Sequence, residues 1–421
     1  MPRQQLPGAS GGSESADRGD RVPTVTASPR CGRTRGQALL LAAMLVVATA
    51  CAGVSNGESA GNNSRGPARR AGARAELMST QPVVYVPNSI DHTGTTDVTN
   101  ALQSFIDQVN NGSDVRFHPN GNYRVEGTLF VTDKTLTFDG ENATFFATTR
   151  GTLERSLWWI SGGGGIVFRN LTVRGANPYA GLANNAYNPA LAKQHGFRIE
   201  GVDGIELSHV TVTDVYGDFV YVARYAGIPS TDVWIHDSTF VKNGRQGISL
   251  VAAEGVIIER NTFSQIRRGT IDLEPNGPNQ SVSDVYILNN SVGSGRLLFV
   301  ASHGLGPVNG IVISGNRLHG HALTLDDVPP TGEHRSNWIV ENNTSDTVSD
   351  TRPIRFVDTD GVLVSGNTQP VSPKVPAVEL DYDCGTQITG NTFGGAKVLQ
   401  QGPTCKAVLT IPPVPVIPGR S

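Results

Sequence analysis

The sequence predicts an all-β solenoid in which short strands stack coil upon coil. The first observation behind this prediction is a motif that recurs nine times, at a spacing of 24–29 residues after one longer interval of 39 residues. The second is that each copy alternates apolar and polar residues with a period of two, which is the period of a strand. The third is the composition, with 49 glycines, 25 prolines and only 6% aromatic residues.

Each copy of the motif carries a polar residue just after its first strand, as in VIIERNTF and VYILNNSV. We align this position as Asn170, His209, Asp237, Asn261, Asn290, Asn316, Asn343, Asn367 and Asn391. Because Asn tolerates left-handed backbone conformations and bonds neighbouring backbone groups, the stacked side chains are expected to form a hydrogen-bonded ladder. This is the residue pattern of a single-stranded right-handed parallel β-helix.

Residues 1–50 are interpreted as a signal peptide of the lipoprotein type. The apolar run Ala38–Cys51 follows three arginines, is too short for a membrane span, and ends in a sequence that resembles a bacterial lipobox. We expect Cys51 to be lipidated, which would hold the protein at the extracellular face of the cell membrane. The alternative is ordinary cleavage and a freely secreted protein.

The remaining chain is divided into a flexible Ser/Gly/Asn-rich tether (51–80), the β-helix (81–405) and a Pro-rich tail (406–421). Removal of residues 1–50 leaves 28 basic and 34 acidic residues, so we expect no nucleic-acid partner. Cys384 and Cys405 are predicted to form a disulfide, as is usual for a cysteine pair in an exported chain. We expect a monomer.

A short helix is predicted where the solenoid begins. One helical stripe of apolar residues is formed by Val98, Leu102, Phe105, Ile106 and Val109. Thr96 or Asp97 can cap the helix and Gly112 can end it. Its expected role is to cover the open end of the solenoid, which would otherwise expose sheet edges and core.

The chain resembles exported bacterial right-handed β-helix repeat proteins of the pectate lyase-like superfamily, over about residues 85–400. The resemblance rests on the first coil, which reads F-x-P-x-G-x-Y at 117–123, and on the coils GDFVY, RQGIS and IDLEPN. Of the polygalacturonase motifs, His303-Gly304 is a loose counterpart of Gly-His-Gly, and Asp326-Asp327 stands in the wrong order. The Asn-Thr-Asp and Arg-Ile-Lys motifs are absent. The resemblance therefore implies a fold and a location, without a reaction.

Acidic residues are predicted to concentrate on one outer strand face of the middle coils. Alignment by the inward aliphatic residues gives one outward column of Tyr221, Ser249, Asp272, Leu298, Thr324, Arg355 and Glu379. It gives a second outward column of Ala223, Val251, Glu274, Val300, Asp326, Val357 and Asp381.

Asp272 and Glu274 are therefore expected to be exposed on the same face as a catalytic acid pair. Residues two apart on a strand are about 6.6 Å apart, which is near the lower edge of the carboxyl separation in inverting glycosidases. Asp218 is expected two coils away from Asp272, at roughly 10 Å. Such carboxyl groups can divide acid and base roles if the pKa of one is raised.

Other chemistries remain open for the same residues. Arg245 and Arg268 on adjacent coils could bind uronate carboxylates, as β-elimination requires, and His303 completes the catalytic candidates. The acids could instead hold Ca²⁺. They could also form an ordinary polar face that Arg267 or Arg268 neutralises.

The candidate substrate-binding residues are Tyr216, Tyr221, His195, Asp326, Arg355 and Trp158. His195 lies in the insert 175–197, and inserts in solenoids are often on the binding face. At least one of Trp158 and Trp159 should face outward, where it could stack on a sugar; packing in the core is the alternative. We expect a polysaccharide hydrolase or lyase that acts in a groove on the sheet face. A non-catalytic surface module that binds glycan or protein is the alternative.

Overall fold

The structure is a computed structural model that describes residues 81–329, 335–350 and 354–401. Cys51, Cys405, the predicted signal peptide and tether, and the predicted tail lie outside the described residues. Cys384 is disulfide-bonded, and its predicted pairing with Cys405 stays a prediction. Within the described ranges, no helix is long and apolar enough to cross a membrane.

The described residues form one α-helix and thirty strands. The helix is α1 (Thr99–Gln108). The strands of the first half are β1 (Val83–Tyr85), β2 (Thr93–Asp97), β3 (Ser113–Arg116), β4 (Asn122–Arg124), β5 (Leu129–Thr132), β6 (Leu136–Phe146), β7 (Trp158–Ser161), β8 (Gly164–Arg174), β9 (Phe197–Glu200), β10 (Asp203–Val215), β11 (Val220–Ala223), β12 (Ser230–His236), β13 (Thr239–Asn243), β14 (Ile248–Leu250) and β15 (Ala253–Glu259). Those of the second half are β16 (Thr262–Ser264), β17 (Ile271–Leu273), β18 (Val282–Leu288), β19 (Ser291–Val292), β20 (Val300–Ser302), β21 (Val308–Ser314), β22 (Arg317–Leu318), β23 (Leu325–Asp327), β24 (Arg335–Glu341), β25 (Thr344–Ser345), β26 (Ile354–Val357), β27 (Thr359–Ser365), β28 (Val378–Asp381), β29 (Gln387–Thr389) and β30 (Val398–Gln401).

The strands build a parallel solenoid of about 11 coils, which confirms the predicted fold class. One sheet of 11 strands runs β5-β7-β9-β11-β14-β17-β20-β23-β26-β28-β30, so that each coil contributes one strand. The other 19 strands form a second sheet that covers the remaining two faces. These two faces are continuous because the long strand β10 pairs with β12 in its first half and with β13 in its second.

The core fills the inside of the coils. The inward residues predicted from the sequence, Val220, Val222, Ile248, Leu250, Ile271 and Leu273, are all completely buried. They belong to one continuous apolar cluster that extends from Val86 to Phe393. Because every coil adds its aliphatic residues to the same stack, the backbone of the outer faces is held rigidly in register.

The predicted asparagine ladder is present from Asn261 to Asn391. The Asn290 Nδ2 donates to Asn316 Oδ1 at 2.9 Å and to the Ile258 carbonyl oxygen at 2.9 Å. Each following Asn repeats this arrangement with the next coil. The ladder thus supplies partners for buried main-chain groups at the same turn of consecutive coils.

The alignment of the first three copies was wrong by one residue. Asn170, His209 and Asp237 adopt left-handed φ angles of 54°, 54° and 47°, and so occupy the position that precedes the ladder. Ser238 takes the ladder position in its coil, where its N–H donates to Asn261 Oδ1 at 3.0 Å. The slip has a physical reason, because the left-handed position and the ladder position are adjacent and both favour Asn.

Helix α1 packs on the first coils as predicted. Of its apolar stripe, Leu102 and Ile106 are buried and Phe105 is partly buried against the core. Asp97 Oδ1 accepts a hydrogen bond from the Thr99 N–H at 3.0 Å and so satisfies one free donor at the helix start. The helix ends at Gln108, ahead of Gly112.

The outer column of the 11-stranded sheet differs from the prediction in two coils. Its register runs Tyr221, Ser249, Asp272, Ala301, Asp326, Arg355 and Glu379. The predicted column had Leu298 and Thr324 where the structure has Ala301 and Asp326. Val300, which was predicted to face outward, faces the core in register with Ile271. The run Leu-Leu-Phe-Val-Ala (297–301) is apolar throughout, so its sequence carries no alternation that identifies the inward residues.

Candidate active site

A pocket of about 280 Å³ opens on the 11-stranded face at β17. Its polar lining consists of Gln246, Arg268, Asp272, Glu274, Asn276 and His303. One wall is formed by the loops that leave β17 and β20, which are tied by the Leu305 N–H to the Pro275 carbonyl oxygen at 2.5 Å. Gly304 packs against Pro275 so closely that a Cβ would lie 2.4 Å from its ring. Adjacent coils therefore hold the pocket together.

Asp272 lies in this pocket as a nearly buried carboxyl group. It points outward from β17 as predicted, but only 5% of the residue is exposed, so the expected exposure was wrong. Gln246 on the neighbouring coil covers it and donates from Nε2 to Asp272 Oδ2 at 2.5 Å. Burial, together with the nearby charges of Glu274 and Asp218, raises the pKa of Asp272 to about 7.

Arg245 joins the other two candidate acids. Its Nη1 donates to Asp218 Oδ2 at 2.7 Å, and its Nη2 donates to Glu274 Oε2 at 2.8 Å. The Glu274 side chain is 30% exposed, whereas Asp218 is fully buried. Burial raises the pKa of Asp218 to about 6 even though Arg245 opposes the shift. Arg245 is therefore ion-paired with Asp218 and Glu274. The alternative that Arg267 or Arg268 neutralises Asp272 and Glu274 was wrong, since among the described residues neither forms an ion pair with these acids.

His195 supports Asp218 from below the surface. Its Nδ1 accepts the Asp218 N–H at 3.1 Å, which places any ring proton of neutral His195 on Nε2. Burial, and secondarily Arg245, holds the pKa of His195 well below its usual value. The ring stacks on Tyr221 with centroids 4.8 Å apart. His195 and Tyr221 are thus joined to the site, with His195 buried beneath it.

His303 lines the pocket on its C-terminal side, and Asp326 and Arg355 follow outside the pocket on the next two coils. His303 Nε2 lies 3.0 Å from Asp326 Oδ2, and this hydrogen bond raises the pKa of His303 above its usual value. Arg355 lies 4.0 Å from Asp326 and 3.5 Å from Glu379. These residues form a row across successive coils on the same outer face as Asp272.

Two predicted ligand contacts lie inside the protein instead. Trp158 is completely buried among Phe138, Phe145 and Phe168, and Tyr216 is also buried. Trp159 is the outward member of the tryptophan pair, and the Arg198 guanidinium covers its ring at 3.7 Å. Consecutive strand residues point to opposite faces, but only the packing decides which one faces the core.

Gln246 is the member of the site that the sequence did not identify. Its side chain binds Asp272, and its main-chain N–H donates to Asp218 Oδ1 at 2.9 Å. It therefore links both buried acids. The available signal was its place beside Arg245, just before the strand that is adjacent to β17. A glutamine does not by its residue type alone indicate a catalytic or binding role.

Within the described ranges, no group of three or more His, Cys, Asp or Glu side chains is arranged to hold a metal ion. The pocket acids contact Arg245 and Gln246 in the manner described above. The Ca²⁺ alternative stays an untested prediction.

Comparison with known proteins agrees with the architecture. The family model "Right handed beta helix region" matches residues 158–403. Endo-xylogalacturonan hydrolase from Aspergillus tubingensis has a similar structure, with 14% identity, a TM-score of 0.55, and coverage of 78% of this chain and 100% of that chain. A mutant tailspike protein of E. coli bacteriophage HK620, in complex with a pentasaccharide, has 12% identity, a TM-score of 0.56, and coverage of 77% and 64%.

The surface adhesin PfbA of Streptococcus pneumoniae is also similar, with 14% identity, a TM-score of 0.51, and coverage of 76% of this chain and 91% of that chain. At these identities the similarity shows a shared fold. No curated protein matches the sequence.

Proposed function

The chain belongs to the right-handed β-helix family, and on that premise we propose that it is a polysaccharide hydrolase whose active site is the pocket at Asp272 and Glu274. The observation that carries the proposal is the unlike state of two neighbouring carboxyl groups. Asp272 is buried with its pKa raised to about 7, whereas Glu274 is partly exposed and ion-paired with Arg245. Environments that separate two carboxyl groups in this way assign acid and base roles.

In the proposed reaction, Asp272 donates its proton to the glycosidic oxygen as the bond to the anomeric carbon breaks. Glu274 accepts a proton from a water molecule whose oxygen bonds to that carbon. Residues two apart in an extended chain are about 6.6 Å apart, and carboxyl groups separated by about 6.5–9.5 Å leave room for that water. We therefore expect inversion at the anomeric carbon.

The remaining side chains of the pocket support these roles. Gln246 fixes Asp272 by its hydrogen bond, and Arg245 fixes Glu274 against the buried Asp218. His303 and Arg268 border the pocket and are proposed to contact the sugar. Two of the similar structures are a glycan hydrolase and a tailspike in complex with a pentasaccharide, which makes glycans the first substrates to test. The predicted lipid anchor at Cys51 would hold the activity at the extracellular face of the membrane.

The proposal is tested with a panel of neutral and acidic polysaccharides, assayed for new reducing ends and for the absorbance of unsaturated uronates. We expect reducing ends without uronate absorbance, and a loss of about 100-fold or more in Asp272→Asn and in Glu274→Gln. Glu379→Gln is the matched control, because it removes a carboxylate from the same outer column far from the pocket. Unsaturated products would favour β-elimination. Binding without cleavage by the wild type would favour a non-catalytic module.

A further inference from the structure

Three arginines lie together beside the pocket on the 11-stranded face. Arg267 and Arg268 precede β17, and Arg296 belongs to the loop before β20. Arg268 lines the pocket of Asp272. Arg296 lines a neighbouring pocket of about 180 Å³, and Leu297 lines both. The cluster therefore lies where two cavities meet.

Neutral groups of the insert 175–197 hold these side chains in place. Arg267 Nη2 donates to the Asn184 carbonyl oxygen at 3.3 Å, and Arg296 Nη1 donates to Asn184 Oδ1 at 2.5 Å. The Arg268 guanidinium lies over the Tyr187 ring at 5.2 Å. These contacts orient the three cations without neutralising their charge.

In the part of the chain that the structure describes, the nearby carboxylates form no ion pair with the cluster. Glu274 is paired with Arg245, and Asp272 accepts from Gln246. Asp350 lines the second pocket with Arg296, but the two are not ion-paired. By contrast, Arg245 in the same site contacts two carboxylates. The charge of the cluster is therefore available to a ligand.

The three cations also act on one another. Burial, and then the charges of Arg296 and Arg268, lower the pKa of Arg267. Its Nε is buried and has no hydrogen-bond partner. Grouping like charges is unfavourable, and a buried donor without a partner costs free energy. A bound anion would relieve the repulsion among the three cations.

We propose that Arg267, Arg268 and Arg296 form an anion-binding subsite that receives the acidic groups of a polysaccharide at the mouth of the Asp272 pocket. Guanidinium groups bind carboxylate and sulfate oxygens through paired hydrogen bonds, so both kinds of acidic sugar fit this chemistry. That the ligand is a glycan rests on the proposed function. The expected substrate is then a polysaccharide that carries negative charges on the sugars next to the cleaved glycosidic bond.

The test measures binding by calorimetry to three oligosaccharides of equal length: a galacturonate oligomer, a sulfated galactan oligomer and a neutral galactan oligomer. The protein carries Asp272→Asn so that ligands are not cleaved. We expect one or both acidic oligomers to bind at least about tenfold more tightly than the neutral one. The acidic oligomer that binds more tightly shows whether the subsite recognises carboxylate or sulfate groups. Their affinity should fall as the salt concentration rises.

Arg296→Gln is expected to weaken acidic binding by about tenfold and to leave neutral binding unchanged, because Arg296 does not line the Asp272 pocket. Arg268→Gln is expected to weaken acidic binding by about tenfold or more. Arg317→Gln is the matched control, since Arg317 is an exposed arginine on a strand of the other sheet. Equal binding of all three oligomers, or unchanged binding by both variants, would overturn the subsite. The salt dependence is measured on the Asp272→Asn protein with the three arginines intact. A folding defect in a cluster variant therefore does not affect that result.

The two proposals fail in different ways. Charge-dependent binding with no cleavage by the wild-type protein would overturn the proposed hydrolase and leave the subsite standing. Cleavage of a glycan by the wild type, together with equal binding of the acidic and neutral oligomers, would overturn the subsite and leave the hydrolase standing.

Discussion

Replacing Asp272 with Asn is expected to stabilise the folded protein at neutral and alkaline pH while it removes the activity. The carboxyl group is buried beside Glu274 and Asp218, and its pKa is raised from 3.8 to about 7. Because the folded state holds this proton more tightly than the unfolded chain, the contribution of Asp272 to stability falls as the pH rises from about 4 to 7. The stabilising form is the protonated one.

The size of the change in stability follows from the difference between the pKa of Asp272 in the folded state and in the unfolded chain. Over this interval each pH unit corresponds to about 1.4 kcal/mol of unfolding free energy. From pH 5 to pH 8 the wild type should therefore lose about 3 kcal/mol relative to Asp272→Asn. The Asn side chain has the same shape, and its carbonyl oxygen can accept the Gln246 hydrogen bond, so the substitution disturbs little else.

The assay is urea unfolding, followed by tryptophan fluorescence at several pH values between 5 and 8, for the wild type, Asp272→Asn and Glu379→Gln. The difference between wild type and Asp272→Asn should grow as the pH rises from 5 to about 7 and then level off, and it should change more than the difference between wild type and Glu379→Gln. A constant difference for Asp272→Asn would refute the raised pKa of this carboxyl group, and with it the general-acid role.

Other substitutions test the site and the fold. The kcat/KM of the wild type on its substrate should decrease as the pH rises through about 7, because Asp272 must carry its proton; an increase above this pH would assign the acid role elsewhere. Asn316→Ala should destabilise the protein by about 2–4 kcal/mol, because it leaves two buried main-chain groups without partners; Asn391→Ala, at the partly buried end of the ladder, should cost less in the same unfolding assay. Arg335→Met should cost about 3–5 kcal/mol, since it leaves the buried Asp327 unpaired. The double variant Arg335→Met/Asp327→Leu should recover most of that loss; an equally unstable double variant would contradict the ion-pair explanation.

The fold could be predicted because its signal is repeated. Each coil carries the same period-two alternation and the same Asn, and nine weak signals that agree outweigh an error in any one. The alignment errors occurred where neighbouring positions have the same residue preference, so that the sequence does not distinguish them. Two adjacent positions that both favour Asn displaced the alignment of Asn170, His209 and Asp237, and a run of five apolar residues concealed the inward face at 297–301.

The placement of the candidate residues was predicted more accurately than their surroundings. Asp272, Glu274, Asp218 and Arg245 are brought together as the coil alignment required. Their individual environments were not predictable, because burial depends on neighbours from other coils. Gln246, 26 residues away along the chain, is what covers Asp272.

The sequence by itself determined that this protein is a parallel β-solenoid, and that acids and arginines share one outer face. Periodicity carries that information, since the repeat sets which residues stack. Only the tertiary structure decided which carboxyl group is buried, which arginine bridges two acids, and that the described arginines beside the pocket, Arg267, Arg268 and Arg296, form no ion pair. Desolvation and ion pairing act through space, over distances that the order of residues along the chain does not record.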